Sequence, residues 1–321
     1  MTATTAGLHD APESYDELNR YSQVIVDEAR RRGIHVEVLD PSTGELALSL
    51  DGRRVTTVES LSELTSAVAF RRCDHKAHTR RVLERVGLRV PPGRTATFDG
   101  QDVAFLRRWE DIVVKPARGE GGAGVSVGVV DPEGLAAATE AALTVCPEVL
   151  LEQRFEGEDL RVLVIGGQVV AASVRRPPAV TGTGVDTVAE LVGSLSRSRS
   201  AATAGASHVP LDDTTLDVVR AQGYEFESVL PRDTVLAVRR TANLHTGGTI
   251  HDVTDDLHPD LAAVSVRAAE AIDIPVLGLD LVVPAVNRPD YVIIEANEQP
   301  GLANHEPQPT VERFIDLLFP A

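Results

Sequence analysis

Lysine is almost missing from this chain. Of 31 basic residues only two are lysines, Lys76 and Lys115, and arginine takes every other basic position. A biased genome composition accounts for the general scarcity, so the two exceptions carry the information. A compact ammonium suits a tight phosphate site better than a planar guanidinium does; two accidental lysines would be the plainer account. Cysteine is equally scarce. Cys73 and Cys146 are too few for a disulfide framework and lack metal-ligand spacing, and Cys146 lies in apolar surroundings as a packing residue. No apolar run approaches the roughly 20 residues of a membrane span. The first ten residues have neither the basic region nor the apolar run of a signal peptide. These absences point to a cytoplasmic protein without a membrane partner. Negative charge is in excess, and a net charge of -17 argues against nucleic acid or an anionic lipid surface as partner. A nucleotide pocket remains open to it, since that needs only local positive charge.

What is present is a soluble composition, 43% hydrophobic and 25% charged, in 321 residues without an internal repeat. That length accommodates two or three subdomains of mixed α/β (α+β) type. Residues 1–14 read as a disordered tail. Leu18, Tyr21, Ile25 and Ala29 recur at helical spacing until Gly33, and alternation over 34–39 and 46–50, with Asp51-Gly52 as turn, gives strands. Asp74 is placed to cap a helix over 75–86, with Lys76 in its first turn. Strands are expected at 149–152, 160–165, 169–174, 235–240, 276–283 and 291–296, and helices from 131, over 260–272 and from Pro309. Residues 193–207, rich in Ser, Ala and Arg, read as a mobile low-complexity loop. The expected division is 15–96 as an N-terminal unit with linker helix, 97–180 as a small subdomain carrying a glycine loop, and 181–321 as a large subdomain carrying a metal site.

The centre of the chain is Asp111–Val129. An apolar, β-branched run leads into Lys115, then come Gly119, Glu120, Gly121, Gly122 and Gly124, then a second β-branched run starting beside Ser126. Gly119–Gly124 satisfies G-x-G-x-x-G, but the dinucleotide fold requires a helix next, and Val-Ser-Val-Gly-Val-Val is a strand. The Gly-Lys-Ser/Thr of a P-loop is absent, as are the kinase triplets. What remains is a glycine flap between two antiparallel strands, laid over phosphates. A flexible hairpin tip would explain it less well, because so many glycines weaken ordered structure.

Asp280 stands inside Val-Leu-Gly-Leu-Asp-Leu-Val-Val, and Glu295 and Asn297 inside Tyr-Val-Ile-Ile-Glu-Ala-Asn. Paired as a hairpin, these strands put Asp280 opposite Glu295, with Asn297 on the same face by period two. Two carboxylates and an amide oxygen are hard ligands suited to Mg²⁺ completed by nucleotide phosphates. Surface acids satisfied by arginines would give the same pattern, and the phosphate loop upstream favours the Mg-nucleotide reading.

With these motifs in order over about residues 70–300, the chain resembles the ATP-grasp carboxylate–amine ligases. Lys76 and Lys115 match the two lysines of that family, and residues 119–127 its mobile loop. Glu152 to Phe155 look like the linker that holds adenine, Asp159 the acid that binds ribose and Arg161 a phosphate-side cation. Asp280, Glu295 and Asn297 match the metal triad. The segment from Arg240 through Thr246, Gly247 and Gly248 is similar to the ATP-grasp domain of cyanophycin synthetases. The segment 295–310 resembles N-acetylglutaminylglutamine synthetases. The acyltransferase-like region of the latter and the Mur-ligase-like half of the former have no counterpart in this sequence, so donor and acceptor are expected to differ from either relative.

The resemblance implies ATP-grasp architecture, ATP with Mg²⁺ (Mn²⁺ able to substitute), and small amino acid or peptide substrates. Ligases of this kind are often dimers or tetramers, so a homodimer or homotetramer is expected. It implies amide-bond formation through an acyl phosphate, with Arg240 and Thr246–Gly248 holding that group. Arg175 and Arg176 are weaker candidates, and His305 a weak one for substrate binding or proton transfer. A nucleotide-binding module without turnover and a phosphotransferase acting on a small carboxylate are the rival classes.

Overall fold

Alternating apolar residues along three neighbouring segments build the sheet that positions everything else. In the computed structural model, which describes residues 15, 17–203, 205, 207–242, 244–303 and 305–320, five antiparallel strands lie side by side. Their order is Thr249–Asp252, Gln168–Arg176, Glu158–Ile165, Val276–Val283 and Val292–Asn297. Leu160, Val162 and Val164 point to one face with Leu279 and Leu281, and meet Leu261, Val264 and Ala268 of helix Pro259–Ile272. Each such fully buried aliphatic side chain contributes about 1.5–3 kcal/mol. On the other face Leu163, Ile165 and Ala171 pack against Ile25, Leu46, Phe314 and Ile315. Helices Arg20–Arg31 and Thr310–Leu318 therefore share a core with the N-terminal sheet of His35–Asp40, Glu45–Leu50, Arg53–Val58 and Leu61–Ser62.

A second sheet has the order Gly93–Thr95, Val149–Gln153, Ile112–Pro116 and Ser126–Val129, covered by helices Gly100–Trp109 and Pro132–Leu143. Its last hairpin carries the glycine loop. Helices Ala67–Asp74 and Lys76–Arg85 link the two sheets, and Ala69, Cys73 and Leu83 bury against the five-stranded one. Between strands Gln168–Arg176 and Thr249–Asp252 the chain builds a satellite core from Val180, Val188, Val192, Val209 and Leu236, on a two-stranded sheet of Ala179–Thr181 and Val235–Ala237. Among the described residues no helix is long and apolar enough to cross a membrane. Both cysteines are free and buried.

Three local expectations need correction. Asp74 ends the preceding helix and pairs with Arg118 at 3.4 Å, while His75 is the N-cap of helix Lys76–Arg85 and provides no side-chain cap. The open first-turn N–H of Lys76 instead donates to Ala117 O at 2.9 Å, which ties the helix to the end of the Lys115 strand. Most of 193–207 is the second half of helix Val188–Ala202, started by a reciprocal capping box between Thr187 and Glu190. The strand expected over 235–240 stops at Ala237. The tail expected over 1–14, and Asn243 of the second glycine-bearing loop, lie outside the described residues.

Candidate functional site

A row of polar residues crosses the whole five-stranded sheet. Cross-strand register places Asp252 beside Ser173, Ser173 beside Arg161, Arg161 beside Asp280 and Asp280 beside Glu295. Directly paired residues in an antiparallel sheet share a face. The row therefore stands on the face opposite helix Pro259–Ile272. Asp280 is 1% exposed, and Arg161 engages both its oxygens, through Nε and, at 2.8 Å, Nη2. Arg175 Nη2 lies 3.1 Å from Asp280 and 2.7 Å from Asp159. Burial alone would raise the carboxyl of Asp280, but Arg161 and Arg175 outweigh it and hold the group below its ordinary range. Asp159 is raised, by burial and by the charge of Asp280, with Arg175 opposing. Arg175 stays firmly protonated, the two acids overcoming its burial.

The two lysines converge on one strand from different elements. Lys76 Nζ lies 3.0 Å from Glu295 Oε1 and donates to Gly119 O at 2.8 Å. Lys115 Nζ lies 2.7 Å from Glu152 Oε2 and donates to Ile294 O at 3.1 Å. Lys115 and Glu152 are both nearly buried, and Arg80 reaches the other oxygen of Glu152 at 3.5 Å. The carboxylate of Glu152 is thus engaged by Lys115 and Arg80. Phe155 lines a cleft of about 410 Å³ with Leu88, Val90, Pro92 and Val292.

The glycine loop sits above Lys76. Gly121 and Gly122 have φ of +63° and +78°, a region side-chain-bearing residues avoid. Ser126 pairs with Val114 on the Lys115 strand. Burial raises Glu298 above the usual carboxylate range; a backbone hydrogen bond opposes it, and the negative charges of Asp74, Glu120 and Glu295 add to the rise. Arg240, at the edge of the satellite core, donates to Val127 O of the flap strand at 2.8 Å; a Cβ on Gly128 would come 2.8 Å from its guanidinium. Thr246 is half-buried, Gly247 and Gly248 are buried, and Gly247 lies against Val209. They lead into edge strand Thr249–Asp252.

The donor set of Asp280, Glu295 and Asn297 is oxygen-only and shares one face, as a hard cation requires. Asn297 Nδ2 comes within 3.4 Å of Asp280 Oδ2. Among the described residues no group of three His, Cys, Asp or Glu is arranged to hold a metal, so a metal at this pair and amide would need nucleotide oxygens to complete it. Both acids engage cations, Arg161 with Arg175 at Asp280 and Lys76 at Glu295. Arg175 was a weak candidate by sequence, and the register of the neighbouring strands is what sets it between Asp159 and Asp280.

His305 is 6% exposed, and burial together with the positive charge of Arg161 pushes it down to about 4. Glu306, Asp252 and the Gly301 backbone act in the opposite direction. An unfolded imidazole titrates near 6.5, so the neutral ring's contribution to stability is complete above about pH 6.5 and is lost as pH falls towards 4. Thermal melts of the wild type should fall through that window more steeply than those of His305→Asn; parallel slopes would count against a buried neutral ring.

Comparison with known proteins bears on the family and the fold. Residues 90–189 match the family model described as prokaryotic glutathione synthetase, ATP-grasp domain. Cyanophycin synthetase from Nostoc sp. is 32% identical over 318 residues, which cover 93% of this chain and 35% of that protein. A bifunctional glutathione synthetase from Pasteurella multocida superposes on 97% of this chain and 45% of its own with TM-score 0.69 and 26% identity. D-alanine–D-alanine ligase from Bacillus anthracis covers 79% of this chain and 68% of its own with TM-score 0.51 and 14% identity, and shares the fold. The chain thus spans about a third of the length of the Nostoc relative.

Proposed function

This chain belongs to the ATP-grasp family, and on that premise we propose that it is an ATP-dependent carboxylate–amine ligase forming an amide bond with release of ADP and phosphate. The observation that carries the reading is the meeting of the chain's two lysines at Ile294 and Glu295, beside the Asp280 row. ATP-grasp ligases use ATP and Mg²⁺. In this chain Asp280, Glu295 and Asn297 would hold Mg²⁺, whose chemistry is to neutralise phosphate oxygens and orient them for displacement.

The donor carboxylate attacks the γ-phosphate and an acyl phosphate forms; the amine then attacks its carbonyl and phosphate leaves. Lys76, Lys115 and Arg161 supply positive charge along the phosphates, and the N–H groups of Gly119–Gly124 close over them. Glu152–Phe155 hold the base and Asp159 the ribose. Arg240 and Thr246–Gly248 retain the acyl phosphate. Substrates in this reading are small amino acids or acylated peptides, and the working assembly is a homodimer or homotetramer.

The test is ADP release with Mg-ATP and individual amino acids or acylated dipeptides, with mass spectrometry of the products. An amide product formed with stoichiometric ADP is expected, and an N-acetylglutaminylglutamine-type dipeptide is one arm of the screen. ADP released without amine, with acyl phosphate accumulating, would replace ligation by phosphotransfer. Mg-ATP binding with no turnover on any arm would reduce the chain to a nucleotide-binding module.

A further inference from the structure

Two nearly buried side chains on the row's face hold a polar atom without a hydrogen-bond partner: Ser173 Oγ and His305 Nδ1. Ser173 is 1% exposed and His305 6%. Such an unpaired group costs about 1–3 kcal/mol, so two toward one face of the sheet call for partners.

The path of the chain brings them together. Ser173 occupies the row between Asp252 and Arg161. After strand Val292–Asn297 the chain turns back across the sheet. Pro300 lies over Gly278, where a methyl group would come 2.8 Å from its Cβ, and Ser60 Oγ donates to Pro300 O at 2.6 Å. Further along, Gln308 Nε2 donates to Asp252 Oδ2 at 3.2 Å, on the edge strand at the other side. His305 stands between these two anchors, and its carbonyl accepts from Gln308 N at 2.8 Å. The segment therefore roofs the Ser173 end of the row. There His305 faces Arg161 and Asp252 from the sheet and Glu306 from its own segment.

The chemistry of the two atoms selects a ligand. The His305 ring donates to the Gly301 backbone from its other nitrogen, and Nδ1 is left as a lone-pair acceptor. A serine hydroxyl both donates and accepts. An amine N–H can donate to both Nδ1 and the serine oxygen and leave the nitrogen lone pair free to react; a hydroxyl or water would fit the same two atoms, and the experiment below separates these occupants. We propose that Ser173 and His305 form the subsite for the acceptor amine, seated one strand from Arg161 and two from Asp280. This rests on the ligase reading. In the step it serves, the amine lone pair forms the C–N bond and the acyl C–O bond breaks with its electrons going to phosphate. The amine's surplus proton ends on the released phosphate; His305 only accepts a hydrogen bond.

The experiment compares wild type, Ser173→Ala, His305→Ala and His305→Asn, each with Mg-ATP and a mixture of the proteinogenic amino acids, with and without hydroxylamine. Hydroxylamine is small enough to capture an acyl phosphate as hydroxamate without a built subsite. Amide product should fall about tenfold or more in the two alanine variants, with a raised KM for the acceptor, while hydroxamate stays within about twofold of wild type. His305→Asn, which places an oxygen near the position of Nδ1, should recover part of the loss. Wild-type amide yield in both alanine variants would overturn the subsite and leave an enclosed water as occupant. Equal loss of amide and hydroxamate, with the Mg-ATP thermal shift intact, would overturn it too by moving both residues to the donor side. A wild type that makes neither product fails the ligase reading itself, and the subsite with it.

Discussion

Lys115→Met is expected to lower amine-dependent ADP release by about 10²- to 10³-fold, the size of effect seen when one preorganised donor to a developing charge is removed. The expectation rests on where the ammonium is held. Lys115 is 6% exposed, fixed by Glu152 at 2.7 Å and by the carbonyl of Ile294 at 3.1 Å, one residue from Glu295. A charge held this rigidly needs no reorganisation when phosphate charge develops. Removing one member of a buried pair costs about 3–5 kcal/mol when the survivor is left alone. Here Arg80 still faces Glu152 at 3.5 Å, so the fold should survive. Lys115→Met with Glu152→Gln removes both charges and should restore any stability lost without restoring turnover. Lys115→Arg keeps the charge but puts a planar fork where a compact ammonium fits, and should also turn over poorly. Undiminished ADP release from Lys115→Met in a folded protein would remove the lysine from the site.

The glycine loop shows what local pattern can carry. Strand, lysine, glycines and strand are contiguous, and the hairpin of Ile112–Pro116 with Ser126–Val129 forms where the pattern places it. Asp280 opposite Glu295 was likewise legible as a hairpin pairing and is found, although a register shift between Asp280 and Leu281, which skips Ile294, is what brings the two acids level. The meeting of Lys76 and Lys115 at one strand was not. It depends on helix Lys76–Arg85 docking between two sheets, a long-range packing choice with no local signature.

Composition misled over 193–207. Serine, arginine and alanine in a run suggest a loop, yet Thr187-x-x-Glu190 announces a helix start, and Val188 and Val192 give it a buried stripe. Arg175 was hidden by the opposite difficulty. An arginine near a strand end is ordinarily solvated, and only the neighbouring strands show that this one stands between Asp159 and Asp280.

Asp280→Asn should produce the other large effect, and it separates two roles that one carboxylate fills. At Asp280 the folded-state carboxyl lies below its ordinary range, so its stabilising charge is complete above the unfolded value of about pH 4 and is lost as pH falls through the lower folded value. At neutral pH the substitution therefore leaves Arg161 and Arg175 facing Asp159 as their remaining acid in the network, and a loss of about 3–5 kcal/mol follows from breaking a buried pair. Turnover should fall by about 10²-fold or more, and Mg-ATP should no longer raise the melting temperature. Asp280→Asn with Arg175→Gln removes one of the stranded cations, so it should regain stability while turnover stays lost. Glu295→Gln supplies the complementary case. Its partner Lys76 can still bond Gly119, so stability should change little, while the Mg-ATP shift shrinks. An undiminished Mg-ATP shift in both Asp280→Asn with Arg175→Gln and Glu295→Gln would take the metal away from this strand pair, leaving Asp280 as the hub of a structural arginine network alone.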